Sequence, residues 1–436
     1  MTRSPSTIPY AFCTPHECDE RQALGQVSVL ESTVETCHYD SGGNKKRQPS
    51  KRILDPCLAV AKYRRSAAGT QQIGRTQVQL EQTLHHLLEV YSIQAATCQH
   101  FPPTTLYITA EFLVDRLRGC QADAIRLLGD GERLSSSSSS SSSSWVSSRF
   151  QVQLIRTLIL LRYLLQGHSQ YPLLAQTTHT MLWTALADFW TCRELEWRNQ
   201  GNDHDFFCNP CDDYQDEVLT YSSLLHLANC VSHPETHTPG WILSQYTRHV
   251  DSSNRYPMWH RCALAIASCI VREDYRTILH IPTMTVLQKM CLASCLVHLR
   301  YHTLQSYNSS FGKGEAVDDL DRLLGCPMRR IVQECQRYNL PIEEKNGATD
   351  DDNWEDVPPS QAVIFKAVPM VPLSSSSLPS SSSSTSSKSN MTGREDEWVF
   401  GNETSINFRT DEDGILIPCT AWMRTILLLD RIETSS

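Results

Sequence analysis

Leucines recur at helical spacing through the middle of this chain, and that pattern restricts the folds open to it more than any other feature. Leu80, Leu84, Leu87, Leu88 and Tyr91 fall at i, i+4, i+7, i+8 and i+11, which lines one face of a helix. Leu113, Leu117, Ala124 and Leu128 repeat the pattern. So do Leu154, Leu158, Leu161 and Leu165, where Ile155 and Ile159 widen the apolar face and mark a central helix. Further helices are predicted over Leu173–Trp190, Val218–Val231, Arg261–Val271 and Thr285–Leu304, joined by segments carrying Pro, Gly, Asn or Asp. No fixed period emerges, so the expected fold is mainly α, an irregular array of helix pairs rather than a consensus repeat.

The array is interrupted. The run Ser135–Ser144 buries too little apolar surface to offset its ordering entropy and is expected to loop out between helices as an insertion. A second tract, Ser374–Ser389, separates the body from an acidic tail over 373–436 that ends in a short helix-forming stretch, Ala421–Ile432. Residues 1–44 are rich in Ser, Thr and Gly with little periodicity and are expected to be a poorly ordered arm that adds nothing to the core.

Towards the end of the body the pattern changes. Pro327 opens a helix whose inner face is Ile331, Val332 and Cys335. Gln361–Val368 then reads as a β-branched strand, with Leu340–Ile342 as its partner. Helices followed by a short hairpin are the order of a winged helix. The acidic residues Glu343–Pro359 would form an enlarged hairpin tip, which loop-closure entropy tolerates.

Charge is segregated. The chain carries −9 overall, yet Lys45–Arg75 holds nine basic residues against Asp55 alone, a local +8. Glu343–Asp356 holds seven acids against Lys345. The N-terminus lacks an apolar signal region and the seventeen cysteines are odd in number, which points to a reducing compartment. The longest apolar runs fall well short of the roughly 20 residues that cross a bilayer.

Within the basic region, Asp55-Pro56 begins a helix with Asp55 as N-cap, placing Lys62, Arg64 and Arg65 at its C-terminal turn. Such a turn is either a solvated helix end or a contact for phosphate or acidic protein. Lys45-Lys46-Arg47 with Lys51-Arg52 is equally a nuclear-import signal or a flexible basic arm.

The residues Asp55, Pro56, Val60, Tyr63, Arg65, Ser66 and Ala68, with Phe112, Asp115, Arg116, Arg118 and Asp123 following, resemble the paired signatures of the GANP/Sac-three family of messenger-RNA export proteins. Thr83–Tyr91, between them, is similar to that family's T-M-x-Y-L-L helix. Ala61 stands where the family has lysine, and Lys62 follows one place later. Gln121 replaces an expected arginine. An upstream Cys and Glu-Arg segment is echoed by Cys13, Cys18, Glu20 and Arg21 with shifted spacing.

The resemblance implies a PCI-like module: helical repeats over 45–310, completed by a winged helix over 311–372. It implies a non-enzymatic scaffold in messenger-RNA export at the nucleus and its pores, paired with a second PCI-domain subunit and a small acidic DSS-type subunit, and binding RNA. Lys62, Arg64, Arg65, Arg116 and Arg118 are the expected contact residues. Tyr63, Phe112 and Asp115 would pack and orient them. Short members of the family imply an alternative setting, the centrosome and spindle.

Enzyme chemistry has little to stand on. His204, Cys208 and Cys211 form H-x3-C-x2-C, the beginning of a zinc or thiol site, but no second CxxC completes four ligands. No phosphate loop, nucleophile elbow or H-E-x-x-H helix is present. Cys262, Cys269, Cys291 and Cys295 sit at helical spacing and read as small core residues. No cofactor is expected.

Overall fold

The protein is represented by a computed structural model that describes residues 11–34, 52–63, 75–97, 103–135, 146–165, 172–199, 213–234, 237–240, 258–279 and 284–310, with shorter pieces as far as 417. These fall into two compact units, residues 11–199 and 213–417. The described residues are mainly helical.

The first unit opens with α1, Pro15–Ala23, and a single 3-10 turn, Val29–Glu31. Thr14 caps α1 by accepting from Glu17 N–H at 3.2 Å, and Pro15 fills the first turn, where a missing N–H costs nothing. Gly25, at φ +67°, ends the helix. Gln26 N–H reaches Arg21 O at 2.8 Å, closing a turn that a side chain at Gly25 would strain.

Two short antiparallel strands follow, β1 over Ser32–Val34 and β2 over Arg52–Leu54. The Gln22 side chain donates to Arg52 O at 2.9 Å and accepts from Leu54 N–H at 2.7 Å. One amide thereby satisfies a strand edge that would otherwise be open. Residues 11–34, expected to be poorly ordered with the rest of 1–44, are in fact folded here, and Cys13, Cys18 and Leu30 are buried. The aperiodic sequence misled because this segment is held by side-chain bonds to distant residues, not by an apolar stripe of its own.

Four long helices complete the unit: α2 (Gln77–Thr97), α3 (Pro103–Ser135), α4 (Ser148–Leu165) and α5 (Pro172–Asn199). Leu80, Leu84, Leu87 and Leu88 of α2 are buried, as are Leu113, Leu117, Ala124 and Leu128 of α3. Helix α4 is buried on every side from Leu154 to Leu161 and packs against α5. It is the central helix the sequence indicated, where Ile155 and Ile159 widen the apolar face.

Its start is fixed by polar groups. Glu196 accepts Ser148 N–H at 2.7 Å, Ser147 Oγ accepts Phe150 N–H at 3.2 Å, and the same hydroxyl donates to Glu81 at 2.6 Å. Carboxylates from α2 and α5 therefore meet the N-terminal end of α4, where the helix dipole favours them. The serine run lies between α3 and α4, mostly outside the described residues.

The second unit holds α6 (Asp213–Ser232), α7 (Met258–Val271), α8 (Tyr275–Leu279), α9 (Val286–Leu292) and α10 (Leu296–Ser310). The helix predicted over Thr285–Leu304 is broken by a 3-10 turn at Ala293–Cys295. Thr285 and Gln288 form a reciprocal cap at the start of α9, with Thr285 N–H to Gln288 Oε1 at 2.8 Å. Cys262, Cys269, Cys291 and Cys295 are buried, and burial pushes the Cys262 thiol up to about 11.

Three strands, β3 (Gly314–Ala316), β4 (Ile342–Lys345) and β5 (Ser360–Ile364), form an antiparallel sheet in the order β3-β5-β4. Ile342 pairs with Val363 and Lys345 with Ser360, so the partner of the predicted strand is Ile342–Lys345 rather than Leu340–Ile342. Asn339, at φ +60°, ends a helical turn at Cys335–Gln336 and directs the chain into β4. Two further short strands, β6 (Arg409–Thr410) and β7 (Leu416–Ile417), pair antiparallel. Pro327, Ile331, Val332, the acidic residues 346–359, Ser374–Ser389 and Ala421–Ile432 lie outside the described residues.

Candidate functional site

Asp55 does cap a turn, accepting Cys57 N–H on Oδ1 at 2.9 Å, and its carbonyl accepts from Leu58 and Ala59 at 3.0 and 2.9 Å. The helix expected from Pro56 is nonetheless a single turn. From Ala59 to Tyr63 the chain is not helical, because its backbone groups are taken by side chains and backbone from elsewhere. Val60 N–H donates to Glu31 Oε1 at 2.8 Å, and Val60 O accepts from Arg21 Nη1 at 3.1 Å. Ala61 N–H donates to Phe12 O at 2.9 Å, and Ala61 O accepts from Arg75 Nη2 at 3.3 Å. Lys62 N–H donates to Glu17 Oε1 at 2.8 Å.

Glu31 is the centre of this arrangement. It is 0% exposed and carried at the end of the 3-10 turn, whose cap Ser28 accepts Leu30 N–H at 3.3 Å. Arg116 from α3 grips both of its oxygens, Nε to Oε1 at 3.4 Å and Nη2 to Oε2 at 2.9 Å, while Arg21 from α1 bonds Oε2. Arg21 is 1% exposed and Arg116 4%. Burial works against the charge on Arg21, but Glu31 outweighs it and holds the guanidinium protonated more firmly than usual. Two buried cations on one buried anion are tolerable only because all three are hydrogen-bonded as well as paired.

Helix α3 completes the site. The Arg118 guanidinium lies 4.3 Å over the Tyr63 ring and that of Arg116 lies 4.8 Å over Phe112. Asp115 also bonds Arg116, and Asp123 accepts from Arg75 at 2.9 Å. Helix α3 approaches at Gly119, where a Cβ would be in ordinary contact, 3.7 Å from the Tyr63 backbone and 3.8 Å from Ala61 O.

The expected contact residues therefore divide. Lys62 is exposed and Arg118 half-buried, so both reach the surface. Arg116 is an internal ion-pair residue, not a surface cation. Arg64 and Arg65 lie outside the described residues. Tyr63, Phe112 and Asp115 pack and orient the arginines, as expected. The charges of the described site balance, with Arg21, Lys62, Arg75, Arg116 and Arg118 against Glu17, Glu31, Asp55, Asp115 and Asp123. Of the nine basic residues counted over Lys45–Arg75, Arg52, Lys62 and Arg75 are described, and Arg75 is paired with Asp123.

Two departures from the family pattern also have structural roles. Gln121 is buried and donates to Met181 O at 3.0 Å, tying α3 to α5. Ala61 packs against the small core of Cys13, Cys18, Leu54 and Ala59. Glu17, Glu31 and Arg75 were not indicated by the sequence. Their only signal is charge, and their partners are up to 85 residues away. His204, Cys208 and Cys211 lie outside the described residues, and among the described residues no group of His, Cys, Asp and Glu is arranged to hold a metal ion.

Neither the curated proteins nor the solved structures contain a match. A family profile does match: it is that of the SAC3/GANP family and covers residues 12–344. Its first residue, Phe12, is the one that bridges to Val60, so the match takes in the Glu31 site and the helices of both units from α1 to α10. The chain belongs to the SAC3/GANP family.

Proposed function

We propose that this chain is a non-enzymatic scaffold of the messenger-RNA-export type. Membership of the SAC3/GANP family over residues 12–344 carries this reading. In it, the chain forms a PCI-like module with a winged-helix end, and the three-stranded sheet in the order β3-β5-β4, entered from a helical turn at Cys335–Gln336, supports that end. The module pairs with a second PCI-domain subunit and a small acidic DSS-type subunit, in the nucleus and at its pores. Helices packed by apolar faces offer such partners surface rather than chemistry.

RNA binds across Lys62 and Arg118, extended by Arg64 and Arg65. The pair Arg118–Tyr63 supports this, since a guanidinium held over an aromatic ring is ordered without being neutralised. Affinity purification of the full chain, followed by mass spectrometry, tests the scaffold: a PCI-domain protein and a small acidic subunit are the expected partners. Binding of a short oligouridylate, followed against salt, tests the RNA role. Log affinity should fall linearly with log salt, and reversing the charge at Lys62 and Arg118 should flatten the slope by about one to two phosphates. Recovery of neither partner, with the chain at centrosomes and no poly(A) RNA retained in nuclei after its depletion, would replace this reading by the spindle role.

A further inference from the structure

Five backbone groups of Val60, Ala61 and Lys62 make hydrogen bonds, and every one goes out of the segment: to Glu31, Arg21, Phe12, Arg75 and Glu17. Apart from one parallel bridge between Phe12 and Val60, none belongs to regular secondary structure. The conformation of this segment is therefore imposed on it. A chain with no helix or sheet of its own takes the shape of whatever satisfies its N–H and C=O groups.

The outside partners are not equivalent. Glu17, Phe12 and Arg75 each touch the segment at one atom pair. Glu31 bonds Val60, fixes Arg21, which bonds the same residue's carbonyl, and fixes Arg116 on α3. Arg116 and Arg118 share one helix, two residues apart, and Arg118 covers the ring of Tyr63, three residues beyond Val60. One carboxylate thus sets the register between the segment that carries Lys62 and Tyr63 and the helix that carries Arg118.

We propose that Glu31 is the positioning residue of the Lys62–Arg118 surface. This rests on the binding role given above to that surface. Glu31 is wholly buried, out of reach of a ligand at the surface. It acts by holding Val60 and α3 in one register, so the surface is assembled from two stretches of sequence, and the DP-to-tyrosine motif is shaped by the arm that precedes it.

The test compares two variants of the full chain. In the first, Arg21→Met, Glu31→Leu and Arg116→Met replace the buried charges together, a kind of exchange that preserves folding elsewhere. Its circular dichroism and melting should stay close to those of the parent, while amide exchange at Val60 and Lys62 speeds up about tenfold or more and oligouridylate binding weakens several-fold. Its salt slope should not change, because Lys62 and Arg118 are still present. In the second variant, Glu17→Ala, only the Lys62 amide should exchange faster.

A folded triple variant with Val60 still protected would overturn the proposal. Should the triple variant fail to fold, Glu17→Ala still decides: exchange at Val60 accelerating as much as at Lys62 would show that no single carboxylate sets the register. If the parent chain does not bind oligouridylate, the RNA role fails by itself, and the exchange results still judge the positioning role.

Discussion

The stretch from Phe12 to Tyr63 and the helix pair α4–α5 lie in one unit, yet they are held by opposite means. The first, in its described residues, has only short elements and is fastened by charged side chains, with Glu31 bonded to Arg21, Arg116 and Val60. The second is regular and fastened by apolar packing, with Leu154, Ile155, Leu158 and Ile159 of α4 and Leu182, Ala185 and Phe189 of α5 all buried. Packing spreads stability over many small contacts and tolerates the loss of one. A charge clamp concentrates it in few atoms, where loss of one partner leaves another charge buried and alone. The binding candidates sit on the clamp, so the surface of this protein depends on its most concentrated interactions.

The widest separation between the two regions should appear on truncating their central residues. Glu31→Ala strands two buried arginines and should cost about 3–5 kcal/mol in denaturant unfolding. Leu158→Ala, at 0% exposure in α4, should cost about 3 kcal/mol through lost burial and a residual cavity. Restoring volume tells them apart. Glu31→Leu should recover little, because Arg21 still lacks its carboxylate and Arg116 keeps only Asp115, whereas Leu158→Met should recover most of the loss. Equal recovery at both sites would mean that the clamp is held by packing after all.

Within the apolar pair, Asp188 stands out among the polar residues. One of its oxygens is buried with no hydrogen-bond partner, and burial lifts its carboxyl from the ordinary 3.8 to about 6. The folded state therefore holds this proton more tightly than the unfolded chain. That contribution is fully present below pH about 4 and is lost as pH rises through about 6, so at neutral pH ionised Asp188 weakens the fold. Asp188→Asn should raise stability at pH 7 by about 1–2 kcal/mol and change little at pH 4. A gain that does not vary with pH would place the effect in packing instead.

The same division governs what could be read from sequence. Leu80 to Leu88, Leu113 to Leu128 and Leu154 to Leu165 announced their helices and their inner faces, because burial along a helix leaves a periodic trace. The clamp leaves none. Glu31 lies in a short aperiodic stretch, and its partner Arg116 is 85 residues away, a pairing that no local pattern encodes. Asp55 as a cap was legible, but the helix it seemed to start was not formed, since backbone bonds to Glu31 and Arg21 outweigh local propensity at Val60. Arg116 was marked by its motif as a candidate contact residue, and the fold places it inside. Type and spacing identify a residue that matters without saying which side of the surface it is on.

The smallest expected effect lies where the clamp meets α3. Gly119 is in the middle of α3, where glycine costs about 1 kcal/mol of helix stability relative to alanine, yet it faces the Ala61–Tyr63 backbone. A Cβ at that position would make ordinary van der Waals contact at 3.7–3.8 Å. Gly119→Ala should therefore be neutral or stabilising by up to about 1 kcal/mol, with the amides of Val60 and Lys62 exchanging as before. A larger side chain has no room at that distance. Gly119→Leu should push Tyr63 away from Arg118 and expose those amides while α3 remains helical, a change that exchange reports even if melting barely moves. If alanine already loosens the segment, the approach of α3 is tighter than contact distance and the glycine itself is part of the clamp. If leucine leaves it protected, the segment is fastened through Glu31 strongly enough to bend the helix, and the clamp is the stiffer of the two regions.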